Sequence, residues 1–211
     1  MKKGLFLYGL NCTLDIWSDM IQNGDIEGTF IEYPHEITQN AHRISNITEW
    51  VYSEYGKNHY DYIVGHSMGG IIALELIAKF QFQCSTVIFI ESNLRPAKEF
   101  YRNLMLPNNM IQYGDKVMNM MQNESSYYTE DLKISLKENF DYSSYISEIS
   151  CKIYGIYGDR GIEEYSKRIE DLCLDKEIEE KIDFKFIKNS CHMPMIENPK
   201  ELAEVLVNCI E

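Results

Sequence analysis

One serine is flanked by glycines in residues 65–69, whose sequence is Gly-His-Ser-Met-Gly. An apolar run typical of a strand precedes this pentapeptide, and an almost wholly apolar run typical of a helix follows it over 71–80. A serine on a sharp strand-to-helix turn projects above the sheet, and flanking glycines remove side chains that would clash there. The pattern predicts that Ser67 is a nucleophile and that the amide of Met68, at the helix N-terminus, stabilises a developing negative charge.

A serine hydroxyl is a poor nucleophile at neutral pH and needs a base, a role that histidine fits well. Of the five histidines, His192 follows the last predicted strand and comes after Ser67 in the chain, which is the order that this kind of serine site requires. We therefore predict that His192 is the general base. The others lie before or within the pentapeptide, where surface, capping or structural roles are expected: His35, His42, His59 and His66, the last pointing away from the Ser67 hydroxyl.

Six short runs rich in apolar residues indicate strands, at about 5–8, 29–31, 61–65, 85–90, 152–157 and 184–187. Helical patterns lie between them, including one over 41–55, a charged one over 162–174 and a last helix that begins at Asn198 and Pro199. Strands that alternate with helices pair in parallel through right-handed crossovers. The sequence therefore predicts an α/β fold with a doubly wound, mostly parallel sheet of about six strands.

Residues 93–150 break this alternation, because they contain no convincing strand but several short helical patterns, around 100–104, 117–121 and 132–136. We predict that they form a helical cap inserted into a core made of residues 1–92 and 151–211. Because methionine side chains adapt to irregular shapes, those of the cap indicate either a deformable apolar pocket over Ser67 or ordinary packing of the cap onto the core. Five of the ten methionines lie there: Met105, Met110, Met118, Met120 and Met121.

With its GHSMGG motif at 65–70 and its histidine loop at 189–195, the chain resembles the α/β-hydrolase family over nearly its whole length. In that family a loop after the first strand donates a second amide to the oxyanion, usually just after a His-Gly pair. This chain has Tyr8 and Gly9 at that place, so the resemblance implies that the amide of Leu10 is the second donor. The two antiparallel strands that often open the family's sheet are missing, which implies a trimmed version of the fold.

The acid that orients the base has two candidates, Glu91 and Asp159. Asp159 follows the penultimate predicted strand, where most members of the family keep their acid. However, the usual pattern there is G-x-x-D, and three residues after Gly158 the chain has Gly161. Glu91 ends the preceding strand, the place where some members, including certain dehalogenases, carry the acid. We favour Glu91 and keep Asp159 as the alternative.

Composition excludes several classes of partner. Acidic residues outnumber basic ones 33 to 20, and a net charge of -13 repels nucleic acid and anionic membranes.

No apolar run is long enough to span a membrane or resembles a secretion signal, so a cytoplasmic location is expected. The six scattered cysteines are expected to be free thiols. Without a set of histidines at metal-ligand spacing or a glycine-rich phosphate loop, no metal or cofactor is expected.

These features predict an enzyme that hydrolyses a small or medium carboxylic ester through an acyl-enzyme on Ser67, with a small acyl compound as its partner. Thioester hydrolysis, carbon–carbon bond hydrolysis and lactonase activity use the same groups and stay open. A non-catalytic ligand-binding protein on the same fold is a second possibility. A cysteine enzyme that uses Cys191 is a third and weaker one, since neighbours in sequence such as Cys191 and His192 rarely point at each other.

Overall fold

The computed structural model of the chain describes residues 2–23, 26–137 and 139–211. This part of the chain contains a six-stranded sheet in the order β2-β1-β3-β4-β5-β6, and every neighbouring pair is parallel. The predicted fold class is therefore confirmed, with a fully rather than mostly parallel sheet. The strands are β1 (Lys3–Leu7), β2 (Glu27–Phe30), β3 (Tyr62–His66), β4 (Thr86–Ile90), β5 (Lys152–Gly158) and β6 (Asp183–Ile187).

Helices alternate with these strands and pack in two groups. The described helices are α1 (Ser18–Ile21), α2 (His35–Thr38), α3 (Ile44–Tyr55), α4 (Met68–Phe80), α5 (Pro107–Ser125), α6 (Glu130–Ile134), α7 (Ser144–Glu148), α8 (Lys176–Glu179), α9 (Pro194–Glu197) and α10 (Pro199–Ile210). Helices α3, α4 and α7 pack together, with α4 also lying against β3 and β4, whereas α1, α9 and α10 form a second group that reaches β6.

The two central strands, β3 and β4, are buried along their whole length. Continuous apolar strands of this kind belong to parallel sheets that helices cover on both faces. The strand order reverses between β1 and β3, because the chain first moves from β1 to the edge strand β2 and then returns to β3. In open α/β sheets, ligands bind beyond the carboxyl ends of the strands at such a reversal. The fold therefore indicates that a ligand would bind at the loops after β1 and β3.

Between β4 and β5, the described residues of 93–150 form helices and turns but no strand. Several hydrogen bonds fasten this segment to the rest of the chain, including three to α4, to α9 and to the loop that carries His192. The Leu104 carbonyl accepts a hydrogen bond from the His192 amide at 3.0 Å. The Glu197 carboxylate accepts one from the Leu106 amide at 2.8 Å. The Tyr145 hydroxyl donates to the buried Glu75 carboxylate of α4 at 3.0 Å. The segment is thus tied to the loop that carries His192.

Three helix predictions need correction, and the first is the pattern at 100–104, where the chain forms only a short 3-10 helix at Glu99–Tyr101 and leaves helical structure after it. The predicted helix over 162–174 is wrong, since the chain there forms turns and one short 3-10 helix at Glu170–Leu172. Its pattern offers little apolar surface to bury, because Ile162 is exposed, and a helix that buries no apolar face is marginal. By contrast, the short pattern at 117–121 belongs to the 19-residue helix α5. The N-cap at Asn198 is confirmed, as its side chain accepts from the Glu201 amide.

Two further expectations concern the cysteines and the membrane. All six cysteines lie in the described part of the chain, and each is a free thiol. Across 2–23, 26–137 and 139–211, no helix combines the length and the apolar character that crossing a membrane requires.

Close packing of α4 on β3 depends on the absence of a side chain at Gly65. A Cβ at Gly65 would lie 2.2 Å from the backbone oxygen of Gly69, which cannot move without shifting the helix. Gly65→Ala is expected to lower the free energy of unfolding by about 1–3 kcal/mol, the usual cost of overpacking a core. Urea denaturation monitored by circular dichroism measures the change.

Gly114, inside α5, is the matched control. There a Cβ meets the flexible end of the Met110 side chain at 3.1 Å, so Gly114→Ala is expected to stabilise the protein by up to about 1 kcal/mol through helix propensity. Equal losses of stability in the two variants would show that the contact between Gly65 and Gly69 is not the cause.

Candidate active site

Ser67 lies on the turn between β3 and α4 in a strained backbone conformation. Its φ of 53° and ψ of -119° place a residue with a side chain in a region that favours glycine. The surrounding structure holds this conformation, because the Ser67 amide donates to the Ile90 carbonyl at 2.8 Å and Gly65 and Gly69 allow the helix to approach the strand. The turn thereby raises the Ser67 side chain into a cavity at the carboxyl ends of the strands.

The two residues whose amides are predicted oxyanion donors lie near Ser67 in the fold. Met68 is the first residue of α4 and Leu10 follows β1, and both line the same cavity as Ser67. The departure from the family pattern at Tyr8 has a structural explanation. The Tyr8 hydroxyl accepts a hydrogen bond from the Tyr33 amide at 2.8 Å, and the Tyr33 hydroxyl donates to the Tyr8 carbonyl at 3.2 Å. Tyrosine pairing therefore organises the loop that presents Leu10.

His192 lies on the loop after β6 and lines the cavity together with Ser67. Its Nδ1 atom is 3.5 Å from Oε2 of Glu91. Its backbone is held on both sides, since its amide donates to the Leu104 carbonyl at 3.0 Å and its carbonyl accepts from Nε2 of His66 at 2.9 Å. The imidazole is thus oriented by one carboxylate and by two backbone contacts.

Glu91 directly follows β4, and its side chain is completely buried. Its Oε1 accepts from the Gly158 amide at 2.6 Å, and Arg160 binds both oxygens, at 2.5 Å for Oε1 and 2.7 Å for Oε2. Burial alone would raise the pKa of Glu91, but the charge and hydrogen bonds of Arg160, with a smaller contribution from His192, outweigh it and hold the pKa below its ordinary value. Glu91 is therefore a carboxylate at neutral pH.

Arg160 is the site residue that the sequence analysis missed. It occupies the turn after β5 with a φ of 56°, and only 3% of its side chain is exposed. The guanidinium also donates to the carbonyls of Gly158 and Phe100 and lies 4.5 Å from the ring centre of Tyr101. The available signal was an arginine directly after a predicted acid candidate at a strand end. Its contact with Glu91 spans 69 residues, which no local pattern reveals.

Asp159 has a different environment from Glu91. Its Oδ1 accepts hydrogen bonds from the amides of Gly161 and Asn189, both at 2.7 Å, so the side chain joins the turn after β5 to the loop after β6. The structure brings Glu91, and not Asp159, within 4 Å of a His192 ring nitrogen. Asp159 holds the loop that leads to His192.

His66, expected only to point away from Ser67, is a second residue whose contacts were missed. It is fully buried, and burial together with the nearby His192 lowers its pKa to about 3. A neutral His66 has one N–H, and Nε2 must carry it in order to donate to the His192 carbonyl. His66 therefore fixes the position of His192 without carrying charge.

A cavity of about 530 Å³ contains these groups. Of the five methionines in the predicted cap, only Met121 is among the described lining residues, while Met118 is exposed and Met105 is packed in the core, so packing is the better interpretation for most of them. The lining is made by Leu10, Asn11, Ser67, Met68, Ile71, Glu91, Asn93, Tyr101, Arg102, Leu104, Met121, Lys133, Leu136, Lys137, Phe140 and His192. The cavity thus joins the groups at the strand ends to side chains from 93–150.

Comparison by sequence finds no matching family and no matching curated protein. Comparison by structure finds a lipase-esterase related protein from Clostridium acetobutylicum, with a TM-score of 0.70 and 18% identity, covering 98% of this chain and 93% of that protein. Est816, described as an N-acyl homoserine lactone degrading enzyme, gives 0.71 and 12%, covering 99% and 93%. A methylesterase from Arabidopsis gives 0.66 and 14%, covering 100% and 99%. At these identities the likeness shows the fold, which is that of the α/β-hydrolases.

The pairing of Arg160 with Glu91 predicts how stability depends on pH. Arg160→Met is expected to cost about 3–5 kcal/mol at pH 7, because it leaves a buried carboxylate without its partner. The lowered pKa of Glu91 in the wild type contributes stability above about pH 4 that is lost in more acidic solution. Without Arg160, burial raises that pKa, so the variant loses stability as the pH rises. Urea denaturation at pH 4 and pH 7 should show the larger loss at pH 7.

The double variant Arg160→Met/Glu91→Gln is the control for that prediction, since it removes both charges. It is expected to regain part of the stability that Arg160→Met loses at pH 7. Its loss relative to the wild type should no longer be larger at pH 7 than at pH 4. An Arg160→Met variant with the same loss at both pH values would contradict the interaction described between the two side chains.

Proposed function

We propose that this chain, which has the α/β-hydrolase fold, is a serine hydrolase that cleaves a small or medium carboxylic ester. One observation carries the proposal. Ser67, on its strained turn, shares one cavity with His192, whose Nδ1 lies 3.5 Å from the buried carboxylate of Glu91. A nucleophile, a base and an acid that orients the base are the parts that acyl transfer needs.

In the proposed mechanism, Oγ of Ser67 attacks the ester carbonyl while Nε2 of His192 removes the hydroxyl proton. Glu91 accepts the Nδ1–H bond of His192 and stabilises the imidazolium that forms. The oxyanion of the tetrahedral intermediate accepts hydrogen bonds from the amides of Met68 and Leu10, at the N-terminus of α4 and after β1. The alcohol leaves with the proton from His192, and an acyl-enzyme remains on Ser67.

Deacylation repeats these steps with water as the nucleophile. His192 removes a proton from the water, a second tetrahedral intermediate forms at the same two amides, and its collapse returns the proton to Ser67 and releases a carboxylic acid. We assign residues 93–150 the role of a cap, because they supply more than half of the residues that line the cavity around Ser67. The cavity volume of about 530 Å³ fits a ligand of small or medium size.

Thioesters, lactones and activated carbon–carbon bonds react through the same groups and belong to the same proposal as neighbouring substrates. A second function, ligand binding without catalysis, is favoured by one specific observation. Arg160 binds both oxygens of Glu91 at 2.5 and 2.7 Å, whereas His192 lies farther from that carboxylate, at 3.5 Å. If Arg160 satisfies Glu91 fully, the carboxylate does not orient His192 towards Ser67 and Ser67 is not activated.

Hydrolysis of p-nitrophenyl esters of increasing acyl length tests the roles of the candidate residues. Ser67→Ala is expected to lower kcat/KM by about ten-thousandfold or more, because the nucleophile is lost. Glu91→Gln is expected to lower it by about a hundredfold to ten-thousandfold, because the amide cannot stabilise the imidazolium. Asp159→Asn is the matched carboxylate control and should stay close to wild type, because its Oδ1 still accepts the two loop hydrogen bonds.

A fluorophosphonate probe separates catalysis from ligand binding. An activated Ser67 should be labelled in the wild type and not in Ser67→Ala, with mass spectrometry locating the adduct. A folded wild type that neither labels nor turns over any ester would support the ligand-binding alternative. A large loss in Asp159→Asn with little change in Glu91→Gln would assign the acid to Asp159 instead.

Replacement of Cys191 tests the cysteine alternative. Cys191 is buried, and burial raises the pKa of its thiol to about 12, so the reactive thiolate is scarce at neutral pH. Cys191→Ala is therefore expected to keep the esterase activity of the wild type. Loss of activity in a folded Cys191→Ala, together with full activity in Ser67→Ala, would show that the sulfur is the nucleophile.

A further inference from the structure

The cavity around Ser67 has an unusual balance of charge for this chain. Three basic side chains line it, Arg102, Lys133 and Lys137, and among its described lining residues the only acidic one is Glu91. Arg160 already binds that carboxylate through both oxygens. In a protein with 33 acidic and 20 basic residues, a cavity with this lining is a local exception.

All three basic residues belong to 93–150, whereas Ser67 and Glu91 lie at the strand ends. Lys133 also donates to Glu130 at 2.8 Å, but the Glu130 side chain is 80% exposed and water screens its charge. The Lys133 side chain is only 15% exposed. An anionic ligand that enters the cavity is therefore attracted by the basic side chains, because Glu91 is already paired with Arg160 and Glu130 is screened by water.

Apolar side chains lie in the same cavity, chiefly Ile71, Leu136 and Phe140. A cavity with an apolar wall and a cationic wall suits a molecule that has an apolar part and an anionic group. Cations in a cleft concentrate anions locally even when the whole protein is negatively charged, and this effect weakens with salt.

We propose that the substrate carries an anionic group, a carboxylate or a phosphate, which Lys133, Lys137 and Arg102 bind while Ser67 attacks the ester. The proposal rests on the hydrolase function proposed above and names its substrate class. Each partly exposed ion pair contributes about a two- to fivefold preference, so the three together are expected to favour an anionic over a neutral substrate by about tenfold or more.

Two matched substrate pairs measure this preference. Mono-p-nitrophenyl glutarate and p-nitrophenyl butyrate differ by a carboxylate on the acyl side, and 4-acetoxybenzoate and phenyl acetate differ by one on the alcohol side. After subtraction of spontaneous hydrolysis, the ratio of kcat/KM for the anionic over the neutral ester should exceed about tenfold in at least one pair. The ratio should fall towards one in 0.5 M salt, because the Debye length drops to about 4 Å.

Lys133→Gln/Lys137→Gln is the variant that tests the assigned residues, and its ratio should fall about fivefold or more below that of the wild type. Lys57→Gln/Lys200→Gln removes the same charge from exposed positions outside the cavity and should keep the wild-type ratio. No preference for the anionic ester in either pair, or equal loss in both double variants, would overturn the proposal.

Calorimetric binding of phenyl phosphate and benzoate separates this proposal from the hydrolase function. Both the wild type and Ser67→Ala should bind at least one of the two anions, the tighter one indicating phosphate or carboxylate, and Lys133→Gln/Lys137→Gln should bind it at least fivefold more weakly. Binding of this kind without turnover of any ester would contradict the hydrolase function and retain the anion site. Turnover of neutral esters without anion binding would contradict the anion site and retain the hydrolase function.

Discussion

A single buried charge, the carboxylate of Glu91, constrains the architecture of the site. A carboxylate that is completely removed from water is costly unless charges and hydrogen bonds compensate it. Here the compensation comes from Arg160, from the Gly158 amide and from the His192 ring. These partners lie on the turn after β5 and on the loop after β6, so one charge at the end of β4 ties together the ends of three strands.

The presence of Arg160 also changes the electrostatics that His192 experiences. A lone buried carboxylate would leave the site with a net negative charge whenever the imidazole is neutral, whereas the pair of Glu91 and Arg160 is neutral. Glu91 then divides its attraction between the Arg160 guanidinium and the His192 ring. The geometry compensates in part, because backbone contacts to Leu104 and His66 hold His192 without depending on charge.

Local sequence patterns predicted the features of the fold that depend on residues close together in the chain. The strand-to-helix turn at Ser67, the parallel sheet and the N-cap at Asn198 follow from periodicity and from residue types that nearby backbone requires. The partners of Glu91 did not follow, because Arg160 lies 69 residues away and only the folded sheet brings the two together. The helix predicted over 162–174 failed for a related reason, since this charged stretch buries Leu172 near its end but has no continuous apolar face along which a helix could pack.

The hydrogen bond from the His192 amide to the Leu104 carbonyl joins the histidine loop to the wall of the cavity. Leu104 also lines the cavity, so the segment that shapes the pocket is the segment that holds the histidine loop. A change of pocket shape that moves the backbone at Leu104 also moves the imidazole. Under the proposed function, replacement of the 93–150 segment therefore alters turnover together with specificity, whereas side-chain changes at Met121 of α5 and Lys133 of α6 reshape the pocket away from Leu104.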